Sequence, residues 1–162
     1  MMELQPQGRA RLHLAVACAV LALAACGPVG PIPGGKLEGE VVAEPVDDWS
    51  FTNPHETIQL ETRLEDPHSV TVWCVAQEGR LYIPSRHPEK KRWVQHVAED
   101  ARVRVRVADR IYPASIARVT DRAELEAVVP LLMRKYELDP PDAEEEKDVW
   151  VFRVESRPPP IQ

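Results

Sequence analysis

From residue 57 onward, hydrophobic and polar positions alternate in short runs whose period changes from two to that of a helix and back. Ile58, Leu60, Thr62 and Leu64 fall on one side of an extended chain and Gln59, Glu61 and Arg63 on the other, the pattern of a half-buried strand. Asp66-Pro67-His68 forms a turn. Val70, Val72 and Cys74 then alternate with Thr71, Trp73 and Val75 in a second strand that is largely apolar on both faces, which suits mid-sheet or a barrel wall. Gln77-Glu78-Gly79 turns the chain into a third strand over 81–83, and the pair reads as a hairpin. Pro88 fits the first turn of a helix with Trp93, Val94 and Val97 on its apolar side and its end at Ala101. Residues 102–107 alternate Arg and Val strictly, so three valines point inward and three arginines outward. A short turn then returns the chain as an antiparallel partner over 111–119. Asp121 and Glu124 stand at capping-box spacing before Leu125, Val128, Val129, Leu132, Met133 and Tyr136, a helix that Pro130 is expected to kink or split. Residues 149–154 make a sixth strand. The prediction is a mainly β domain with two helices over 55–157, its six antiparallel strands forming a small closed or nearly closed barrel. A single open sheet with both helices on one face is the other arrangement.

The first 54 residues follow other rules. Arg9 and Arg11 precede an apolar run over 12–22, broken only by His13 and closed by Leu23-Ala24-Ala25-Cys26. The run is too short for a stop-transfer helix and suits an export signal over 1–25. Its last four residues resemble the lipobox of bacterial lipoproteins, which implies acylation of Cys26 and attachment to a membrane through it. An ordinary signal peptide with an incidental cysteine is the alternative. Gly27, rather than Asp, after the cysteine points to the outer membrane and its periplasmic face. Residues 26–54, rich in Gly and Pro and then acidic, read as an extended tether, with Trp49 and Phe51 tucked onto the domain as a flank. Residues 158–162 read as a disordered tail.

The formal net charge is −6, and loss of Glu3, Arg9 and Arg11 with the leader makes the remainder one unit more acidic. That balance argues against nucleic acid as a partner. Of the 3 cysteines, Cys18 leaves with the leader and Cys26 is taken by lipid, so Cys74 has no disulfide partner and reads as a small buried hydrophobe. His55, His68, His87 and His96 lack metal-ligand spacing, and no metal site is expected; the acidic run 144–148 lacks the alternation of a calcium loop. No nucleophile elbow, phosphate loop or dinucleotide fingerprint is present, and no catalytic residue is identified. Arg102, Arg104 and Arg106 form a stripe that is solvated or faces a second subunit, with an anion groove as the second reading.

One cluster runs against local electrostatics. Lys90, Lys91 and Arg92 fall at the start of the first helix, where the positive end of the macrodipole disfavours cations by about 0.3–1 kcal/mol each. A bound anion would reverse that sign; a solvated basic turn balanced by Glu89 is the plain alternative.

The order of elements resembles the FMN-binding split barrel of pyridoxamine-phosphate-oxidase-like flavoproteins and deazaflavin-dependent nitroreductases. The local likeness is to the nitroreductases: Trp93, His96-Val97 and Asp100-Ala101 stand at the spacing of the family's Trp, Asn-Leu and Asn/Asp-Pro, followed by Val103 and Val105. His96 replaces Asn and Ala101 replaces Pro. The resemblance implies a six-stranded antiparallel split barrel, a homodimer with FMN or a deazaflavin at its interface, a surface that the arginine stripe with Trp73 or Trp93 would suit, and oxidoreductase activity on small oxidised substrates. It places the cofactor phosphate near the first helix start, at Ser85, Arg86, Lys90, Lys91, Arg92 and Trp93. The alternative class is a cofactor-free binding or structural lipoprotein of the cell envelope.

Overall fold

The computed structural model describes residues 34–139 and 148–158. The expected leader, the expected acylation site at Cys26, residues 27–33, the acidic run 140–147 and residues 159–162 lie outside the described residues.

Eight strand segments and two α-helices make up the domain: β1 (Glu40–Val41), β2 (Thr57–Thr62), β3 (His68–Trp73), β4 (Val75–Gln77), β5 (Arg80–Arg86), α1 (Arg92–Glu99), β6 (Arg102–Val107), β7 (Arg110–Arg118), α2 (Arg122–Lys135) and β8 (Val149–Ser156). The main path of the sheet runs β3-β2-β6-β7-β8-β5-β4, antiparallel throughout. Its two ends, β3 and β4, are separated in the chain by Cys74 alone. One strand broken at a single residue therefore carries the sheet back to its beginning and curls it into a barrel. The expected count of six becomes eight for two reasons. The second predicted strand divides at Cys74, and β1, which the tether reading did not foresee, pairs parallel to β7 through Glu40↔Arg110 and Val41↔Ile111.

Two-residue connections fix the register of both tight hairpins. Between Gln77 and Arg80, Glu78 and Gly79 both take positive φ (49° and 76°), as a type I′ turn requires. The strict alternation of β6 does what it predicted for valine: Val103, Val105 and Val107 are buried with Ile58, Leu60 and Val72 in the barrel interior, beneath Trp93 and Val94 of α1. A second, smaller core lies between the sheet and α2, where Val128 and Leu132 meet Val75, Tyr82 and Val151.

Three expectations need correction. The segment 34–54 is not an extended tether: Leu37 and Trp49 are only 1% and 2% exposed, and Gly34 exchanges backbone hydrogen bonds with Ser69. Gly39 lets this strap lie close, since a Cβ there would stand 2.5 Å from the Asp109 carbonyl oxygen. The arginine stripe is not uniformly solvated, because Arg104 pairs at 2.5 Å with Glu61, which is fully buried and also accepts the Leu37 amide. Finally, Pro130 does not split α2, which runs unbroken from Arg122 to Lys135 with Val128 and Leu132 docked on either side of the proline.

Candidate functional site

The barrel has a seam. On one side, β3 pairs only with β2 beyond the Gly34 bridge at Ser69; on the other, β5 pairs with β4 only through Arg80–Tyr82, leaving that edge free over 83–86. A half-open groove of about 1350 Å³ lies over this seam, between the start of α1 and the outer side of α2.

The approach to α1 is shaped by local backbone preference. β5 ends at Ser85-Arg86, and His87 in the left-handed region (φ 50°, ψ 58°) reverses the chain into a 3₁₀ turn, Pro88–Lys90. Lys91 is extended (φ −96°, ψ 116°), and α1 begins only at Arg92. The expected helix from Pro88 to Ala101 is thus a short turn followed by a shorter helix, with Lys90 and Lys91 ahead of its first turn rather than inside it. Lys91 is the N-cap and has no side chain able to accept; no acceptor for the Arg92 and Trp93 amides occurs among the described residues. Two orphan donors therefore sit at the positive end of the helix dipole.

Ser85, Arg86, Lys90, Lys91, Arg92 and Trp93 all line this groove. Ser85 is 5% exposed and its Oγ has no hydrogen-bond partner, an unusual state for a buried hydroxyl. Lys90 Nζ lies 3.9 Å from Glu89, whereas the Lys91 and Arg92 side chains have no ion-pair partner among the described residues. The far wall is apolar, with Leu125, Val129 and Met133 from α2 and Val149 and Val151 from β8.

Sequence reasoning missed one part of this site and named a second only as suited to a subunit interface. His68 lines the groove, its ring edge-on to His96 at 5.0 Å. Thr62 Oγ1 lies 2.9 Å from His96 Nδ1 and 3.2 Å from the His68 carbonyl, and so ties the two histidines together. Burial first, and then neighbouring His96, Arg92 and Arg63, hold His68 below the ordinary histidine range. Burial, Arg63 and Arg92 do the same for His96, with Glu99 opposing. Both rings are therefore mainly neutral at pH 7. Nothing in the spacing of the histidines marks this pair, because β3 and α1 bring them together only in the folded chain.

The second part is Trp73, 44% exposed and also in the groove lining. Tyr136, just beyond α2, stacks on it at 4.3 Å and 9°. The Tyr136 hydroxyl accepts the Cys74 amide at 2.8 Å and lies 2.6 Å from the Glu56 carbonyl. Lys135 Nζ donates to the carbonyls of His55 and Cys74 at 2.7 and 2.8 Å. This latch satisfies the backbone where the strand breaks. Cys74 itself is fully buried, and desolvation pushes its thiol up, so it is no nucleophile at neutral pH. No cluster of three or more potential metal ligands occurs among the described residues.

The arrangement can grip an anion at one end and enclose a flat, apolar body along the rest. No protein-family model matches the chain, and no curated protein matches it by sequence. Solved structures do match in fold. A candidate pyridoxamine 5′-phosphate oxidase from Listeria innocua is 14% identical with a TM-score of 0.52, over 64% of this chain and 86% of that one. A candidate 5-nitroimidazole antibiotic resistance protein from Bacteroides thetaiotaomicron is 11% identical with a TM-score of 0.52, over 76% and 87%. A third structure, described as a domain-swapped dimer, is 20% identical with a TM-score of 0.50, over 62% and 81%. At such identities the likeness is one of fold, and this chain is built as the same kind of split barrel.

Proposed function

We propose that the groove binds a phosphate-bearing flavin-type cofactor, FMN or a deazaflavin, and that the protein is an oxidoreductase acting on small oxidised substrates. The observation that carries this reading is the buried Ser85 hydroxyl without a partner. It lies in the same groove as the orphan amides of α1 and the cations of Lys90, Lys91 and Arg92. Every one of these groups donates, and a phosphate needs donors on several sides. The apolar wall from α2 and β8 suits a ring system, and the names of the Listeria and Bacteroides proteins lend support to redox chemistry on small molecules. When bound, the cofactor would supply the electrons; the chain's own residues would hold its phosphate and keep water from its ring.

The test is titration of the purified full chain with FMN, followed by flavin fluorescence and absorbance. Replacement of Lys90, Lys91 and Arg92 together by Ala should weaken binding by several kcal/mol in sum, at about 1.5–3 kcal/mol for each charge-assisted hydrogen bond lost. A triple variant that binds as tightly as the parent would overturn the phosphate assignment. A parent that binds neither FMN nor a deazaflavin would leave the cofactor-free envelope protein as the better reading. The same proposal includes lipid attachment at Cys26, placement at the outer membrane facing the periplasm, and a homodimer. Intact-mass measurement on the membrane fraction tests the first of these, and sedimentation of the soluble domain the last.

A further inference from the structure

The groove has two chemically different ends, and this inference rests on the reading just given for one of them. We propose that the exposed face of Trp73 is the platform for the ligand's ring.

The geometry of Trp73 is that of a prepared surface. Tyr136 covers one face of the indole in near-parallel contact, yet the side chain keeps 44% of its exposure and lines the groove, as Tyr136 does not. Tyr136 is in turn fixed by its hydroxyl to Cys74 and Glu56, and Lys135 beside it ties the same strand break to His55. A large exposed indole costs apolar hydration, and the chain holds this one rigid instead of folding it away. A second ring laid on the open face would complete a three-layer stack.

The two ends share one cavity: Trp73 lines the same groove as Ser85, Lys90, Lys91 and Arg92.

Three probes separate the two ends: FMN, riboflavin (the same ring without phosphate) and inorganic phosphate as a competitor. Trp73→Ala should lose roughly tenfold or more in affinity for both FMN and riboflavin, while phosphate competes as before; ring stacking of this kind commonly contributes that much. Trp73→Phe should recover most of the loss, which a merely misfolded variant would not. The Lys90, Lys91 and Arg92 triple Ala variant should show the opposite pattern, losing FMN and phosphate and keeping riboflavin. FMN and riboflavin affinities unchanged in Trp73→Ala would overturn the platform while leaving the phosphate site intact. So would a Trp73→Ala variant that keeps its FMN affinity and loses only self-association, since Trp73 would then be a subunit contact. Failure of the parent to bind either FMN or a deazaflavin would overturn both readings.

Discussion

Ser85 buries a hydroxyl that no group among the described residues answers, and its consequences should appear with and without ligand. A buried polar group left unsatisfied costs about 1–3 kcal/mol, so Ser85→Ala should leave the ligand-free protein as stable as the parent or more so, read from urea unfolding midpoints. The same variant should bind FMN more weakly, and a loss of stability without change in affinity would show the hydroxyl to be structural. Glu61 presents the reverse case. Its carboxylate is fully buried and held by Arg104 and the Leu37 amide, so Arg104→Ala strands a charge in the interior. The expected cost is about 3–5 kcal/mol, measurable as a fall in unfolding free energy, while Arg106→Ala, with its partly solvated guanidinium, should be nearly silent. The alternation of β2 correctly put Glu61 opposite Leu60. It could not reveal that residues 34–46 come back to cover that face, because the covering segment has a composition that reads as unable to bury a core.

At the scale of elements, the period of the hydrophobic pattern was enough to find β2, β3, β5, β6, β7, β8 and both helices. What it could not locate were boundaries set by single backbone conformations. Lys91 in the extended region ends the 3₁₀ turn and starts α1, and lysine carries no signal for that. The six residues assigned to a phosphate site were legible as a run of donors after a strand, and the structure gathers them in one groove. His68 was not legible as part of it, and Trp73 only as an aromatic suited to a subunit interface, since only the break at Cys74 and the opening of the seam turn β3 towards the groove. That break is held by α2 through Tyr136, whose hydroxyl takes the Cys74 amide. Tyr136→Phe leaves this amide without its acceptor and should cost about 1–3 kcal/mol. Hydrogen exchange should show the loss first at Cys74, and a Cys74 amide as protected as in the parent would show the latch to be dispensable.

For the molecule as a whole, the perturbed groups bracket a window of stability. His68 and His96 are lowered from 6.5 in the folded state, so their contribution is present above that pH and is lost as pH falls through their folded values. Tyr136 is raised from 10.0 to about 12, and Cys74 is raised from 9.0, both chiefly by burial. Their contribution is complete below the unfolded values and is lost as pH rises through the folded ones. Thermal midpoints should therefore plateau between about 6.5 and 9 and fall on both sides. A midpoint still rising above pH 9 would contradict the burial of Cys74 and Tyr136.

The placement of β8 governs when this barrel can form. β8, which follows every other described strand in the chain, is a middle strand of the sheet, hydrogen-bonded to β7 on one side and β5 on the other. Until it arrives, both neighbours present bare edges and the seam cannot take its final width, so a growing chain has no closed intermediate to rest in. A chain that lacks β8 thus stays loosely structured. A chain ending at Asp148 should remain protease-sensitive and prone to pair edge to edge, and a separately supplied peptide of residues 149–158 should restore compactness by filling the gap between β7 and β5.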